Sequence, residues 1–381
     1  MSALFRDWLP GVLNGQQLDA LYRDGAILGS KPGEFGKSSM DLTLSREAWR
    51  LPLGSVKPSK EIFSNQLRHN AVFFEALPPD KQGWFVLKPK QTYVFKLQQT
   101  LNQKAMFEWN VYGQSTAKSS IGRMDVLVRL IVDGMDCYES FRPTEMASTG
   151  DMYVEATPLT FPVIVKEGTP ITQLRLFYGA PEECEFDGRE VHRATVATSG
   201  NEPDGYLRVD LSNASVGKSE GCAFQAQVSS KHAPVPLWST PEKKRPKPGE
   251  YWGLHKAAVT ESGLRYLPIE KESFYILRSK EHLALDGSVA VYCMAIDETI
   301  GEMRIHYAGF VHPWFGRDRD DRIGTPLIFE VRGHDVRVVL QDGEKLAKLR
   351  YFRMSQPVTK GDPEQYNKQT LKLSNFFGPW K

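Results

Sequence analysis

Landmarks that recur in the same order at nearly constant spacing force a chain to fold as a tandem of like units, and this chain of 381 residues carries such a repeat. Met40-Asp41-Leu42-Thr43-Leu44-Ser45 matches Val209-Asp210-Leu211-Ser212 at an offset of 169. The run LKPKQTYVFK, from Leu87 to Lys96, matches IEKESFYILR, from Ile269 to Arg278, at an offset of 182 that puts Tyr93 and Tyr275 in register. Glu155 and Glu330 are 175 apart, and each lies 13 residues before a glycine, Gly168 or Gly343, that opens GTPITQLRLF or GEKLAKLRYF. A drift between 169 and 182 is what loop insertions produce. The repeat implies two domains, 1–190 and 191–381, each long enough to bury a core.

The local grammar is mainly β. Short alternating stretches separated by Gly, Pro and Asp run over 84–95, 124–132, 153–165 and 171–178, and again over 273–277, 289–295, 326–331, 336–340 and 346–353. Two tandem barrels or jelly rolls are the expected architecture. One short helix is predicted near the N-terminus, at about 15–24, with Asn14 as N-cap and Gly25 as stop signal. The segment from Pro234 to Gly249 holds five prolines and the basic knot Lys243-Lys244-Arg245, and reads as an exposed loop with a solvated charge run.

Composition narrows the function. With 48 basic and 46 acidic residues the net charge is only +2, so no global field marks a duplex nucleic-acid binder, and an anionic ligand must be caught by a local cluster. Cys137, Cys184, Cys222 and Cys293 are scattered without a CxxC pair, which argues against a disulfide framework or a structural zinc. No cationic leader or long apolar span is evident, and a cytoplasmic protein without membrane or nucleic-acid partners is expected.

Several catalytic motifs fail. Gly36-Lys37-Ser38 resembles the end of a phosphate loop, but Lys31 stands where the first glycine is needed. The HxE and PCxxC motifs of zinc-dependent nucleoside deaminases are missing, as are GxSxG and HExxH. What remains is Lys118-Ser119-Ser120-Ile121-Gly122-Arg123, read as following a strand-like 107–112, where two hydroxyls and two cations within six residues suit phosphate oxygens. The plainer alternative is a simple turn with Arg123 paired to Asp125. Glu155 sits in an apolar strand pattern, where burial would raise its pKa and fit it for proton transfer, and Glu330 repeats that position. A solvent-facing glutamate is the alternative. His312-Pro313-Trp314-Phe315-Gly316 can wall a flat base or form a buried hairpin tip, and the tail from Gln365 to Phe377 can be a closing flap or ordinary packing.

Taken together, these pieces resemble the dCTP deaminase and dUTPase superfamily, and specifically its long two-domain bacterial dCTP deaminases. MDLTLS resembles the first family motif, KSSIGR the SSxxR run, HPWFG the turn before the strand glutamate, and the YNKQ…LSNFF tail the C-terminal arm. The resemblance implies dUTPase-like domains and hydrolysis of dCTP to dUTP and ammonia, in which a glutamate moves protons between water, N3 and the departing amine. It implies no catalytic metal, Mg2+ accompanying the triphosphate, feedback inhibition by dTTP, and a homo-oligomer, favoured as a trimer, with sites between subunits. Ser119 and Arg123 would act with the glutamate, and Lys118, Ser120, Asp136, His312, Trp314, Tyr366 and Gln369 would contact the nucleotide.

Each copy has lost something. Around Ile300-Gly301-Glu302 the second copy places Glu302 for the arginine and Glu298 and Thr299 for the serines, a surface that repels phosphate. The first copy has Ser140-Phe141-Arg142-Pro143 where the second keeps HPWFG. A composite site is therefore expected, pairing KSSIGR with Glu155 or Glu330, with Glu155 preferred because Asp136 accompanies it. A dUTP diphosphatase, a bifunctional enzyme proceeding to dUMP, and a non-catalytic dCTP or dTTP sensor are the alternatives.

Overall fold

The computed structural model describes residues 7–31, 33–186, 188–196, 204–296, 303–305, 309–317, 324–359 and 369–381. Its first helix, α1 (Gly15–Arg23), begins where expected: Asn14 accepts hydrogen bonds from the backbone of Gln16 and Gln17, and Asn14 N donates to Gln17 Oε1. Leu18 and Leu21 point into the core.

In the first half the strands used below are β1 (Met40–Leu51), β2 (Trp84–Leu87), β3 (Thr92–Leu101), β4 (Val111–Ala117), β5 (Val126–Val132), β6 (Asp151–Pro158), β7 (Val163–Lys166) and β8 (Pro170–Tyr178). The second half supplies β9 (Tyr206–Arg208), β10 (Ala223–Ala226), β11 (Trp252–His255), β12 (Arg265–Ile269), β13 (Phe274–Leu283), β14 (Val289–Ala295), β15 (Met303–Ile305), β16 (Gly309–Val311), β17 (Thr325–Gly333), β18 (Val338–Gln341) and β19 (Lys345–Arg353). The pairings of the two halves correspond, and all are antiparallel. β6 lies between β3 and β5 as β17 lies between β13 and β15. β8 joins β4 and pairs with β1, β19 joins β14 and pairs with β9, and β2–β7 corresponds to β12–β18.

The duplication holds at single-residue level. Glu155 faces Val94 and Glu330 faces Ile276 across their ladders, the register that offsets of 175 and 182 require. The two register tyrosines also do the same work: Lys88 N donates to Tyr93 Oη at 3.0 Å, and Glu270 N donates to Tyr275 Oη at 3.1 Å.

Four sequence readings change. The stretch 84–95 is two strands, split by a turn in which Lys90 adopts φ 61°, and 153–165 is likewise split between Pro158 and Val163. The stretch 107–112 is not one strand. Asn102 caps a helix over Gln103–Glu108, Asn110 reverses the chain at φ 53°, and β4 starts only at Val111. Part of the proline-rich segment is also no solvated loop. Val235-Pro236 pairs in parallel with Val163-Ile164, and Val235 and Leu237 are buried, while the basic knot beyond them stays at the surface.

That strap shows how the core is divided. One cluster lies wholly within 207–351, but the larger one joins first-half residues such as Leu42, Phe95 and Val163 to Phe224, Trp252, Phe274, Leu371, Phe376 and Phe377 of the second half. Phe161 sits at the junction, with ring centroids 5.7 Å from Tyr251, 5.3 Å from Trp252 and 6.2 Å from Phe377. The first half therefore completes its core with residues of the second.

Candidate active site

The KSSIGR run leaves β4 and closes one tight helical turn, α2 (Ser119–Gly122), with Lys118 as its N-cap and Arg123 at its end. Lys118 is anchored by an ion pair with Asp41, so the MDLTLS strand fixes the start of the turn. Residues 369–377 fix its other side. Ser374 Oγ donates to the Ser120 carbonyl at 2.8 Å, and Arg123 donates to the Lys372 carbonyl at 3.1 Å and to Gln369 Oε1 at 3.0 Å. Gln369 Nε2 in turn donates to the Pro326 carbonyl on β17. Arg123 thus ends up buried instead of reaching into solvent.

Across from this turn stands β17. Strand alternation sends Glu330 and Arg332, two residues apart, to the same face. Glu330 Oε1 lies 3.9 Å from Arg123 Nε, and Arg332 Nη1 lies 2.5 Å from Asp125 Oδ2. Two arginine–carboxyl contacts therefore bridge the halves, and Arg123 faces Glu330 instead of Asp125. Thr160 Oγ1 also donates to Asp125 at 2.5 Å. Burial pushes the Asp125 carboxyl up to about 6, against the pull of Arg332. Burial pushes Glu330 up further, to about 8, with Arg123 opposing it.

Between the turn and the strand is a cavity of about 320 Å³. Lys118, Ser119, Ser120 and Arg123 line it from the first half, joined by Gln173 on β8. Glu330, Phe310, His312, Phe315, Cys293 and Gln369 line it from the second. An acid, hydroxyls, cations and two phenyl rings thus face one space large enough for a small planar ligand carrying anionic groups. Arg123 reaches Glu330 within a single chain.

The HPWFG turn supplies His312 and Phe315 to the wall but turns Trp314 away. Trp314 adopts φ 67° and its indole donates to the Val358 carbonyl at 2.8 Å. Gly316, at φ 68°, is the necessary glycine of this turn: a Cβ there would lie 1.9 Å from the Leu283 carbonyl oxygen. His312 Nδ1 bonds Ser38 Oγ at 2.9 Å, and loss of solvent together with Arg175, Lys118 and Lys37 pushes the imidazole down to about 3.

Glu155 lies elsewhere, although it is buried as the sequence predicts. It accepts from Arg129 at 2.5 Å, Ser55 at 2.6 Å and Tyr138 at 3.3 Å, and the Arg129 guanidinium covers the Tyr138 ring. Its strand position is closed by its own half. Asp136, half-buried and 3.4 Å from Lys60 Nζ, is likewise outside the cavity. The tail from 369 is packed, with Leu371, Leu373, Phe376 and Phe377 buried in the core. Tyr366 lies outside the described residues, as do Glu298, Thr299 and Glu302. Sequence reasoning gave no site role to Gln173, Cys293, Arg175 or Arg332, and met Ser38 only in the rejected Gly36-Lys37-Ser38 run and Asn375 only within the C-terminal arm. Only Arg332 carried a signal, its i+2 spacing from Glu330. Among the described residues no group of three or more His, Cys, Asp or Glu side chains is placed to hold a metal ion.

Comparison with known proteins gives this geometry a context. Residues 9–180 match the family model of the N-terminal domain of 2′-deoxycytidine 5′-triphosphate deaminase, and residues 189–377 match that of its C-terminal domain. Among solved structures the chain is similar to the 2′-deoxycytidine 5′-triphosphate deaminase from Agrobacterium tumefaciens, at 23% identity over 91% of this chain and 96% of that one, with a TM-score of 0.78. A salicylate 1,2-dioxygenase from Pseudaminobacter salicylatoxidans, at 10% identity over 91% of this chain and 84% of that one, reaches a TM-score of only 0.12. No curated protein matches the chain in sequence.

Proposed function

The chain belongs to the 2′-deoxycytidine 5′-triphosphate deaminase family, and from that premise we propose that it hydrolyses dCTP to dUTP and ammonia in the cavity between KSSIGR and β17, with Glu330 as the proton shuttle. The observation that carries this reading is the Glu330 carboxyl itself, buried at the cavity wall, pushed up to about 8 and set 3.9 Å from Arg123. Such a group holds a proton at neutral pH and can give it up to a base placed against it.

The proton inventory closes. Glu330 protonates N3 of the cytosine ring, which makes C4 electrophilic, and the resulting carboxylate takes a proton from water as its oxygen bonds to C4. That proton passes to the 4-amino group. The C4–N bond breaks, ammonia leaves, and the new hydroxyl returns its proton to Glu330 as the carbonyl of uracil forms. In this scheme Lys118, Ser119 and Ser120 meet the phosphates at the cavity rim, with any Mg2+ arriving on the triphosphate. Arg123, already engaged with the tail, orients and restrains Glu330 more than it grips phosphate.

The test is incubation of the purified protein with dCTP and Mg2+, with nucleotides separated and ammonia assayed. Equimolar dUTP and ammonia are expected. Appearance of dUMP with diphosphate would extend the reaction to a bifunctional one. Cleavage of dUTP with dCTP untouched would make the protein a diphosphatase, and binding without turnover would make it a sensor; either would overturn the proposal.

A further inference from the structure

Behind the hairpin wall are two buried polar side chains that the proposed chemistry leaves unused. Arg175, on β8, is fully buried with its guanidinium carbon 4.0 Å from the Phe310 ring centroid. It donates to the carbonyl oxygens of Val291 at 3.1 Å and Val311 at 3.4 Å, and to Ser38 Oγ at 3.4 Å. None of its partners among the described residues is an acid. Ser38 is also fully buried, and its hydroxyl meets two groups, Arg175 and His312 Nδ1.

Those contacts favour one placement of the protons. A guanidinium only donates, so Ser38 Oγ accepts from Arg175; if it also accepted from Nδ1–H of His312, its own buried proton would have no acceptor among the described residues, so the arrangement that satisfies every group has Ser38 donating to Nδ1. That leaves Nδ1 bare and puts the ring proton on Nε2. Arg175, Lys118 and Lys37 surround the imidazole with positive charge and oppose a second proton. His312 lines the cavity, and with Nδ1 turned back to Ser38 the nitrogen left for a ligand is Nε2.

We propose that Ser38 and Arg175 are positioning residues that hold His312 as its neutral Nε2–H tautomer, so that the ring presents a fixed hydrogen-bond donor to an oxygen of the bound nucleotide. The inference rests on the reading of the cavity as a nucleotide site. A mobile proton on this ring would offer a donor in one tautomer and an acceptor in the other. The Ser38 relay removes that ambiguity, and the surrounding cations favour an electron-rich oxygen at the same corner.

The experiment uses the full chain labelled with 15N in its imidazoles, with the His312 signals assigned by their loss in His312→Gln. The nucleotide-free protein should show Nε2 protonated and Nδ1 bare. In Ser38→Ala that preference should relax to a tautomer mixture, with the KM for dCTP rising about threefold to tenfold, the worth of one net hydrogen bond, and kcat staying within about twofold. Ser38→Thr keeps the hydroxyl and should restore both readouts. A protonated Nδ1 or an imidazolium in the wild-type protein would overturn the proposal, as would a Ser38→Ala protein whose tautomer or KM is unchanged. Because the tautomer is read without substrate, its failure is distinguishable from failure of dCTP turnover. Repeating the KM comparison with the 2′,3′-dideoxy triphosphate and with dCMP identifies the oxygen: the penalty disappears with the former if the acceptor is the 3′-hydroxyl, and with the latter if it is a terminal phosphate.

Discussion

Glu330 and Glu155 occupy equivalent strand positions, but their neighbours give them opposite capacities. Glu330 sits at a cavity wall with its carboxyl pushed up to about 8, whereas Glu155 already has Arg129, Ser55 and Tyr138 on its oxygens. Glu330→Gln should lower kcat by about 10² to 10⁴ while leaving dCTP binding measurable by calorimetry. Glu155→Gln should leave turnover in the wild-type range and instead lower stability by about 1–3 kcal/mol, because the contact of this buried side chain with the half-buried Arg129 guanidinium weakens. Since the protonated Glu330 starts the proposed cycle, kcat/KM should fall as pH rises through about 8. Arg123 holds that value down, so Arg123→Met should move the alkaline limb to higher pH as well as raise KM. A limb that does not move would separate Arg123 from the titrating group.

At the scale of elements, the site depends on one strand meeting one turn. Glu330 and Arg332 of β17 meet Arg123 and Asp125 at the end of α2 and just beyond it, so the contact that presents the acid also docks the halves. Arg332→Met would leave Asp125 fully buried without its cation and should cost about 3–5 kcal/mol in chemical denaturation. Adding Asp125→Asn should recover much of that loss, a coupling that a double-mutant cycle reads directly. Some of this was legible in the sequence. The Tyr93 and Tyr275 landmarks set strand register because each phenol receives the same backbone N–H, and a shared contact leaves a shared spacing. The partner of KSSIGR was not legible, because equal offsets mark Glu155 and Glu330 as equivalent without saying which one faces Arg123. The segment 107–112 misled for a local reason: capping by Asn102 and the left-handed Asn110 outweigh its apolar residues. The Ser38–Arg175 contact could not be found, since the two residues are 137 apart and the Gly36-Lys37-Ser38 run points to no partner.

For the molecule as a whole, the proposed function leads to the expectation of one competent site per chain. The Glu155 position is filled by its own half, and the second copy of the serine-arginine run carries Glu298, Thr299 and Glu302 instead. Calorimetric titration with dCTP on the Glu330→Gln protein should give one nucleotide per chain; two would mean that the Glu155 side also binds. The shared core leads to a second expectation. Residues 1–190 expressed alone lack Trp252, Phe274, Phe376 and Phe377, and should give neither a cooperative melt nor dispersed amide signals. The division of labour between the copies also has a genetic consequence. Unequal recombination between the repeats would yield a single unit with only one of the two complements, and copying either repeat over the other would erase a part that has no spare. The duplication that once offered redundancy has thus become a lock, in which both copies must be inherited together and unchanged relative to each other.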